Sequence, residues 1–223
     1  LKTGELRDLK TFDDFYSAVL KQWESLIEMT IDVSLQYEKY LSFINPANMY
    51  SATIEGALKK GVDAYQKGVK FNNSCILNCG FASLVDAVMA VKEFVYEKKA
   101  VTLETLAKAL AADWNGFENL HTQIVKSPHK YGNDDAETNR YTEAMSAYFT
   151  SKVNNRPNAR GGVYKAIMHT AMEFVWEGEK TGATPDGRYA GDEISKNASP
   201  SIGMDREGVT ALIKSALKAR PYT

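Results

Sequence analysis

Apolar residues recur at helical spacing almost from the start of the chain. Phe12, Phe15, Val19, Trp23, Leu26 and Ile27 share one face of a 3.6-residue repeat. Thr11 is placed to cap that helix, and Asp13 and Asp14 suit its positive first turn. The pattern weakens toward Phe43, and Pro46 forbids further helix, so a break near residues 32–34 is expected in so long an element. A second helix is expected over 51–67, capped by Ser51, weakened by Gly56 and Gly61 and closed by Gly68. Residues 69–77 read as a strand. Residues 81–98 carry a broad apolar face of Leu84, Val85, Val88, Met89, Val91 and Val95. Thr102 caps a helix with Leu103, Leu106, Leu110 and Trp114 on one stripe, ended by Gly116. Helices follow over 118–126 and 136–154. Residues 163–176 fit strand or helix equally, 178–208 are irregular and rich in Gly, Ser, Asn, Asp and Pro, and 209–219 form a last helix.

Taken alone, this is a mainly α chain with a few short strands. So many amphipathic helices need partner surfaces, which a larger parent protein would supply. An irregular stretch as long as 178–208 is uncommon in a compact domain unless it is functional or packed against something. The chain opens at Leu1 without Met and stops at Arg220, Pro221, Tyr222 and Thr223 directly after a helical pattern, so a fragment is expected.

Charge and composition narrow the function classes. With 27 basic and 28 acidic residues the net charge is −1, leaving no field of one sign to recruit nucleic acid or an anionic membrane. No apolar run approaches the ~20 residues of a bilayer span. Cys75 and Cys79 are too few for a disulfide scaffold and no signal peptide is evident, so a cytoplasmic protein is expected.

Several short motifs have both a structural and a chemical reading. Pro185-Asp186-Gly187-Arg188 is a tight turn by composition; Arg188 either ties loop carbonyls together or clamps an anionic substrate. Asp134 and Asp135 either shape a turn and cap the next helix or, with His129, bind a hard metal ion. Cys75 and Cys79 lack enough His partners to make a metal site, and packing is the preferred reading. For Asp134, Asp135 and Arg188 the structural reading is preferred too.

Joined together, the motifs resemble a family. Thr181-Gly182-Ala183-Thr184-Pro185-Asp186-Gly187-Arg188, Ser199-Pro200-Ser201-Ile202-Gly203-Met204-Asp205 and Gly208-Val209-Thr210-Ala211 resemble the glycyl radical enzymes of the pyruvate formate-lyase-like family. Thr3-Gly4-Glu5 followed by Phe12-Asp13 is similar to that family's entry to a long helix, and Lys130-Tyr131-Gly132-Asn133-Asp134-Asp135 matches its KYGNDD loop. Lys70-Phe71-Asn72, the helix carrying Asp86 and Lys92, and Arg160-Gly161-Gly162 agree in order. Val209 in place of Pro, and Lys67-Gly68-Val69 before the Asn72 segment, depart from the pattern and leave the subfamily open.

The resemblance implies an α/β parent, a ten-stranded barrel jacketed by helices and usually a homodimer, of which residues 1–223 form an internal part. It implies a glycyl radical formed by a radical-SAM activating enzyme, and a thiyl cysteine that takes hydrogen from a small-molecule substrate. The family's Gly-Cys-x-Glu and RV-x-G-Y motifs do not occur in this sequence, so no catalytic residue is assigned, and the chain alone is expected to be inactive. No bound cofactor or metal is expected within it. The reaction class is formate acetyltransferase-like or a dehydratase or lyase. His169, Glu173 and Arg188 are the substrate-pocket candidates, the first two because 163–176 would run into or beside the barrel. A non-catalytic helical module, split subunit or degenerate relative that assembles with a partner is the alternative.

Overall fold

The computed structural model describes residues 2–219. Leu1 and Arg220–Thr223, the ends that suggested a fragment, lie outside them. Helix α1 (Phe12–Ile44) begins with a capping box: Asp14 N–H donates to Thr11 Oγ1 at 3.2 Å, and Thr11 N–H donates to Asp14 Oδ2 at 3.0 Å. The break expected near residues 32–34 does not occur. Between Phe12 and Ile44 there is neither Pro nor Gly, so nothing removes a backbone donor or loosens the ladder. One unbroken rod of about 50 Å results.

The expected helix over 51–67 is instead divided. Short helices α2 (Asn48–Ser51) and α3 (Glu55–Lys60) are followed by a 3-10 turn at Ala64–Gln66. Gly61 ends α3 in the left-handed conformation at φ 60°. Asp63 then draws the pieces together, accepting from the backbone N–H of Ala47 at 2.8 Å and of Tyr65 at 2.7 Å. Only the end of the expected 69–77 strand forms, as β1 (Ser74–Leu77).

Helix α4 (Phe81–Val91) continues through a π turn, Lys92–Glu97. Helices α5 (Leu103–Ala111) and α6 (Glu118–Val125) follow, then α7 (Ala136–Val153), whose cap is Asp135. The ambiguous 163–176 stretch holds both element types in turn: strand β2 (Tyr164–Ile167), then the start of α8 (Glu173–Lys180). The irregular stretch remains irregular, and α9 (Gly208–Ala216) closes the described chain.

Strands β1 and β2 pair in parallel with Ser74 beside Tyr164 and Leu77 beside Ile167. They are the only sheet among the described residues. One face of this sheet, Ile76, Tyr164 and Ala166, is buried against Ile27 and Ile31 of α1 and Phe149 and Val153 of α7. Glu38 of α1 fixes the strand starts, accepting from Ser74 Oγ and from Tyr164 Oη at 3.3 Å. A second core joins Phe81, Val85 and Met89 of α4 to Tyr131 and Met145, and a third joins Phe94, Leu106, Trp114, Leu120 and Ile124. No described helix is long and apolar enough to cross a membrane.

Candidate functional site

Parallel strands place their carboxyl ends together, and crevices at such ends are where α/β sheets hold ligands. Here that end carries Asn78 and Cys79 after β1, and Met168, His169 and Thr170 after β2, with Glu173 opening α8. Asn78 N–H donates to Ile167 O at 2.9 Å, so the two strand exits are locked in register.

Glu173 folds back over its own helix start. Its Oε2 accepts from the backbone N–H of Ala171 at 2.6 Å and of Met172 at 3.1 Å. Its own amide, those two amides and the nearby His169 hold the carboxyl below the usual carboxylate range, so it is ionised at neutral pH. Cys79 lies close enough to feel it: burial first, then the charges of Glu173 and Glu177, push the Cys79 thiol up. The fold therefore brings together His169 and Glu173, two of the sequence candidates, and adds Cys79 and Glu177. His169 is exposed and Thr170 is buried.

Arg188, the third candidate, belongs to a different feature. Its guanidinium donates from Nε to Thr184 Oγ1 at 3.1 Å, from Nη1 to Asp192 O at 2.6 Å, and from Nη2 to Thr181 O at 3.2 Å and Gly182 O. It ties loop oxygens together. A cavity of about 390 Å³ borders this turn, lined by Ser83, Asp186, Arg188, Asp192, Ile202 and Met204.

The loop between α8 and α9 is held down by residues far away in sequence. Lys130, almost wholly buried, donates from Nζ to Asp186 O at 2.7 Å. Tyr131 Oη donates to Ala198 O at 2.8 Å, and Asn133 Nδ2 to Met204 O at 2.8 Å. His121 and Trp114 reach Gly187 O and Arg188 O at 2.8 and 3.2 Å. Thr170 Oγ1 accepts from Asn197 N–H at 3.2 Å, which links the loop to the exit of β2. Gly132, at φ 101°, must be glycine: a Cβ there would sit 2.5 Å from Pro200 Cγ.

Behind this turn lies Asp86 of α4, 0% exposed, whose Oδ1 accepts from Tyr131 N–H at 2.7 Å. Its other oxygen has no hydrogen-bond partner among the described residues. Burial, only partly offset by Lys130 and the Tyr131 amide and reinforced by Asp186, pushes the carboxyl up to about 7. In the sequence Asp86 stands on the helix that matches the family, with no role attached to it. The available signal was a carboxylate spaced with Ala82 and Met89 on the buried face of α4.

The possible metal cluster resolves into structural contacts. Asp135 Oδ2 accepts from Thr138 N–H at 2.8 Å as the α7 cap and pairs with His129 at 3.1 Å. Asp134 is bonded to Lys214 at 2.8 Å. Among the described residues no three His, Cys, Asp or Glu side chains are grouped to hold a metal ion.

The family model described as pyruvate formate lyase-like matches residues 1–178. The chain belongs to this family of glycyl radical enzymes. It is 29% identical over 98% of its length to trans-4-hydroxy-L-proline dehydratase of Clostridioides difficile. It is 30% identical over 91% of its length to the probable dehydratase YbiW of Escherichia coli. Among solved structures, hydroxyproline dehydratase of C. difficile with its substrate bound matches 98% of the chain at a TM-score of 0.90 and 30% identity. The B12-independent glycerol dehydratase of Clostridium butyricum matches 97% at 0.88 and 28% identity. The chain spans only 28% of each of these two structures, and 28% and 26% of the two curated relatives. The described residues are mostly helical with one two-stranded sheet, as a segment of a larger enzyme of this family would be.

Proposed function

We propose that this chain is part of the body of a glycyl radical dehydratase or lyase that acts on a small molecule by hydrogen abstraction. The likeness to two substrate-handling dehydratases over almost the whole chain carries this reading. The dehydratases and lyases among the relatives favour that class over acyl transfer. The glycyl radical, on a residue outside this sequence, supplies the hydrogen abstraction. A radical-SAM activating enzyme, a homodimeric parent, a ten-stranded barrel and a cytoplasmic setting belong to the same proposal.

The contribution of these residues is to hold and position. In a dehydration the leaving hydroxyl needs a proton, and general acid catalysis by a placed side chain is worth about 10²–10⁴-fold. His169, exposed at the exit of β2 beside the Glu173 carboxylate, is the donor in this reading. Arg188 acts indirectly by holding the shape of the turn at 181–192.

The test uses the full-length protein that carries this segment, made without oxygen and treated with a radical-SAM activating enzyme. An organic radical signal by electron paramagnetic resonance and turnover of trans-4-hydroxy-L-proline, glycerol or 1,2-propanediol are expected. His169→Ala is expected to lower kcat about 100-fold while leaving the radical signal intact. Absence of any radical in a folded, activator-treated protein would sink the proposal and leave the non-catalytic helical module.

A further inference from the structure

His169 is exposed, yet it stands between two buried neighbours, Met168 and Thr170, at 7% and 5% of full exposure. The backbone is tied on both sides of it. Before it, Ile167 O accepts from Asn78 N–H at 2.9 Å; after it, Thr170 N–H donates to Asn197 Oδ1 at 2.6 Å. Glu173 Oε2 then takes the next two amides, those of Ala171 and Met172. Strand β2 ends at Ile167, so its ladder does not reach residue 169. The anchor on the far side of His169 is the Asn197 side chain.

Asn197 and Thr170 meet reciprocally. Asn197 Oδ1 also accepts from Thr170 Oγ1 at 3.3 Å, while Asn197 N–H donates to that Oγ1 at 3.2 Å. The backbone at Asn197 is left-handed, φ 54°, which asparagine tolerates better than most residues with a side chain. Asparagine thus supplies both a turn of this shape and a short amide oxygen that accepts. Its own position is set from elsewhere in the fold. Two residues earlier, Ser195 N–H donates to Ser83 Oγ of α4 at 2.9 Å, and Ser83 N–H donates to Ser195 Oγ at 3.0 Å, both residues buried. Ile194 N–H donates to Phe174 O of α8 at 3.1 Å. The hold on Thr170 is therefore referenced to two helices and not to a free loop.

We infer that Asn197 is a positioning residue, which fixes the backbone beside His169 through the Thr170 amide and so sets where the imidazole stands. The inference rests on the reading that His169 gives its proton to the leaving hydroxyl. A displacement of about 1 Å can cost about 10²-fold in rate, so an anchor one residue from the donor is felt in kcat.

Two measurements on the full-length protein test it. The first is amide hydrogen exchange by mass spectrometry on the resting protein, wild type against Asn197→Gly. Glycine takes the left-handed backbone without strain, so only the side chain is lost. Exchange in a peptide covering residues 168–172 is expected to rise about fivefold, the effect of one neutral hydrogen bond, with residues 74–77 unchanged. The second is turnover after activation. Asn197→Gly is expected to lower kcat about tenfold, with KM within about twofold and the radical signal intact. Asn197→Asp, which keeps the oxygen acceptor and the turn, restores most of the loss. His169→Ala joined to Asn197→Gly is expected to be no slower than His169→Ala alone, because nothing is left to position. Unchanged exchange at 168–172 overturns the inference, as does a double variant slower than His169→Ala by the full Asn197→Gly factor. If His169→Ala leaves kcat unchanged, the proton-donor reading falls and takes this inference with it. A slow His169→Ala beside a normal Asn197→Gly removes the positioning role alone.

Discussion

The turn at residues 130–135 and the outer face of α1 invert the usual arrangement in opposite directions. The turn is polar in sequence yet buried: Lys130 is 1% exposed and Tyr131 0%. The helix face is apolar in sequence yet open: Leu26, Met29, Val33, Tyr37, Tyr40 and Ile44 are all more than half exposed. In the turn each buried polar group except one Asp86 oxygen meets a partner across a large sequence gap, so polarity specifies which loop docks where. On α1 the spacing is helical and the residues are large, but they stay exposed among the described residues. The first region finds its partners among the described residues; the second does not.

The comparison breaks most visibly at Tyr131. Replacing it by Ala empties a fully buried ring site beside Phe81 and Met145, and a loss of about 3–5 kcal/mol in urea unfolding is expected. A loss below about 1 kcal/mol would mean that the turn is not part of the core.

Asp86→Asn is next. The folded carboxyl is raised to about 7, so the native state holds its proton where the unfolded chain has released it. Stability from this group is therefore full below its ordinary range and falls as pH rises to about 7, then levels off. The groups facing it are Lys130, Asp186 and Tyr131. Asn keeps the acceptor for Tyr131 N–H and cannot ionise. The variant is expected to match wild type near pH 4 and exceed it near pH 8, by of order 4 kcal/mol at the limit. Parallel curves for the two proteins across that range would refute the buried-acid reading. Tyr131→Phe comes third: it removes only the bond to Ala198 O and is expected to cost about 1 kcal/mol.

Much of this architecture is legible in the sequence, for reasons that differ by element. The caps at Thr11, Thr102 and Asp135 are local, and each forms as its residue type predicts. The motifs of the irregular stretch and the KYGNDD match carry the family, because turn chemistry is written in adjacent residues. What is not legible depends on distant partners. Asp63 divides the 51–67 region by reaching back to Ala47, and residues 163–176 hold a strand only because β1 lies beside it. The strand-end group is half legible: His169 and Glu173 are a helical turn apart in sequence, whereas Cys79 arrives through the parallel pairing. Arg188 was singled out by its motif, but its four oxygen partners appear only once the loop is folded.

The smallest effect sharpens the comparison most. Val33→Lys with Phe43→Lys changes two exposed positions, at 64% and 77% of full exposure. In the 223-residue chain neither side chain has packing to lose, so a stability change within about 0.5 kcal/mol is expected, together with weaker dye binding and less self-association. In the full-length protein the outcome depends on whether further polypeptide covers α1. Burying two unpaired ammonium groups there would cost several kcal/mol, because desolvation is not repaid without partners. A large penalty in the long chain and none in the short one would locate the missing core surface on this helix. Equal, small effects in both would make the apolar stripe a solvent-facing feature of the whole protein, and the contrast with the 130–135 turn would then be one of burial rather than of completeness.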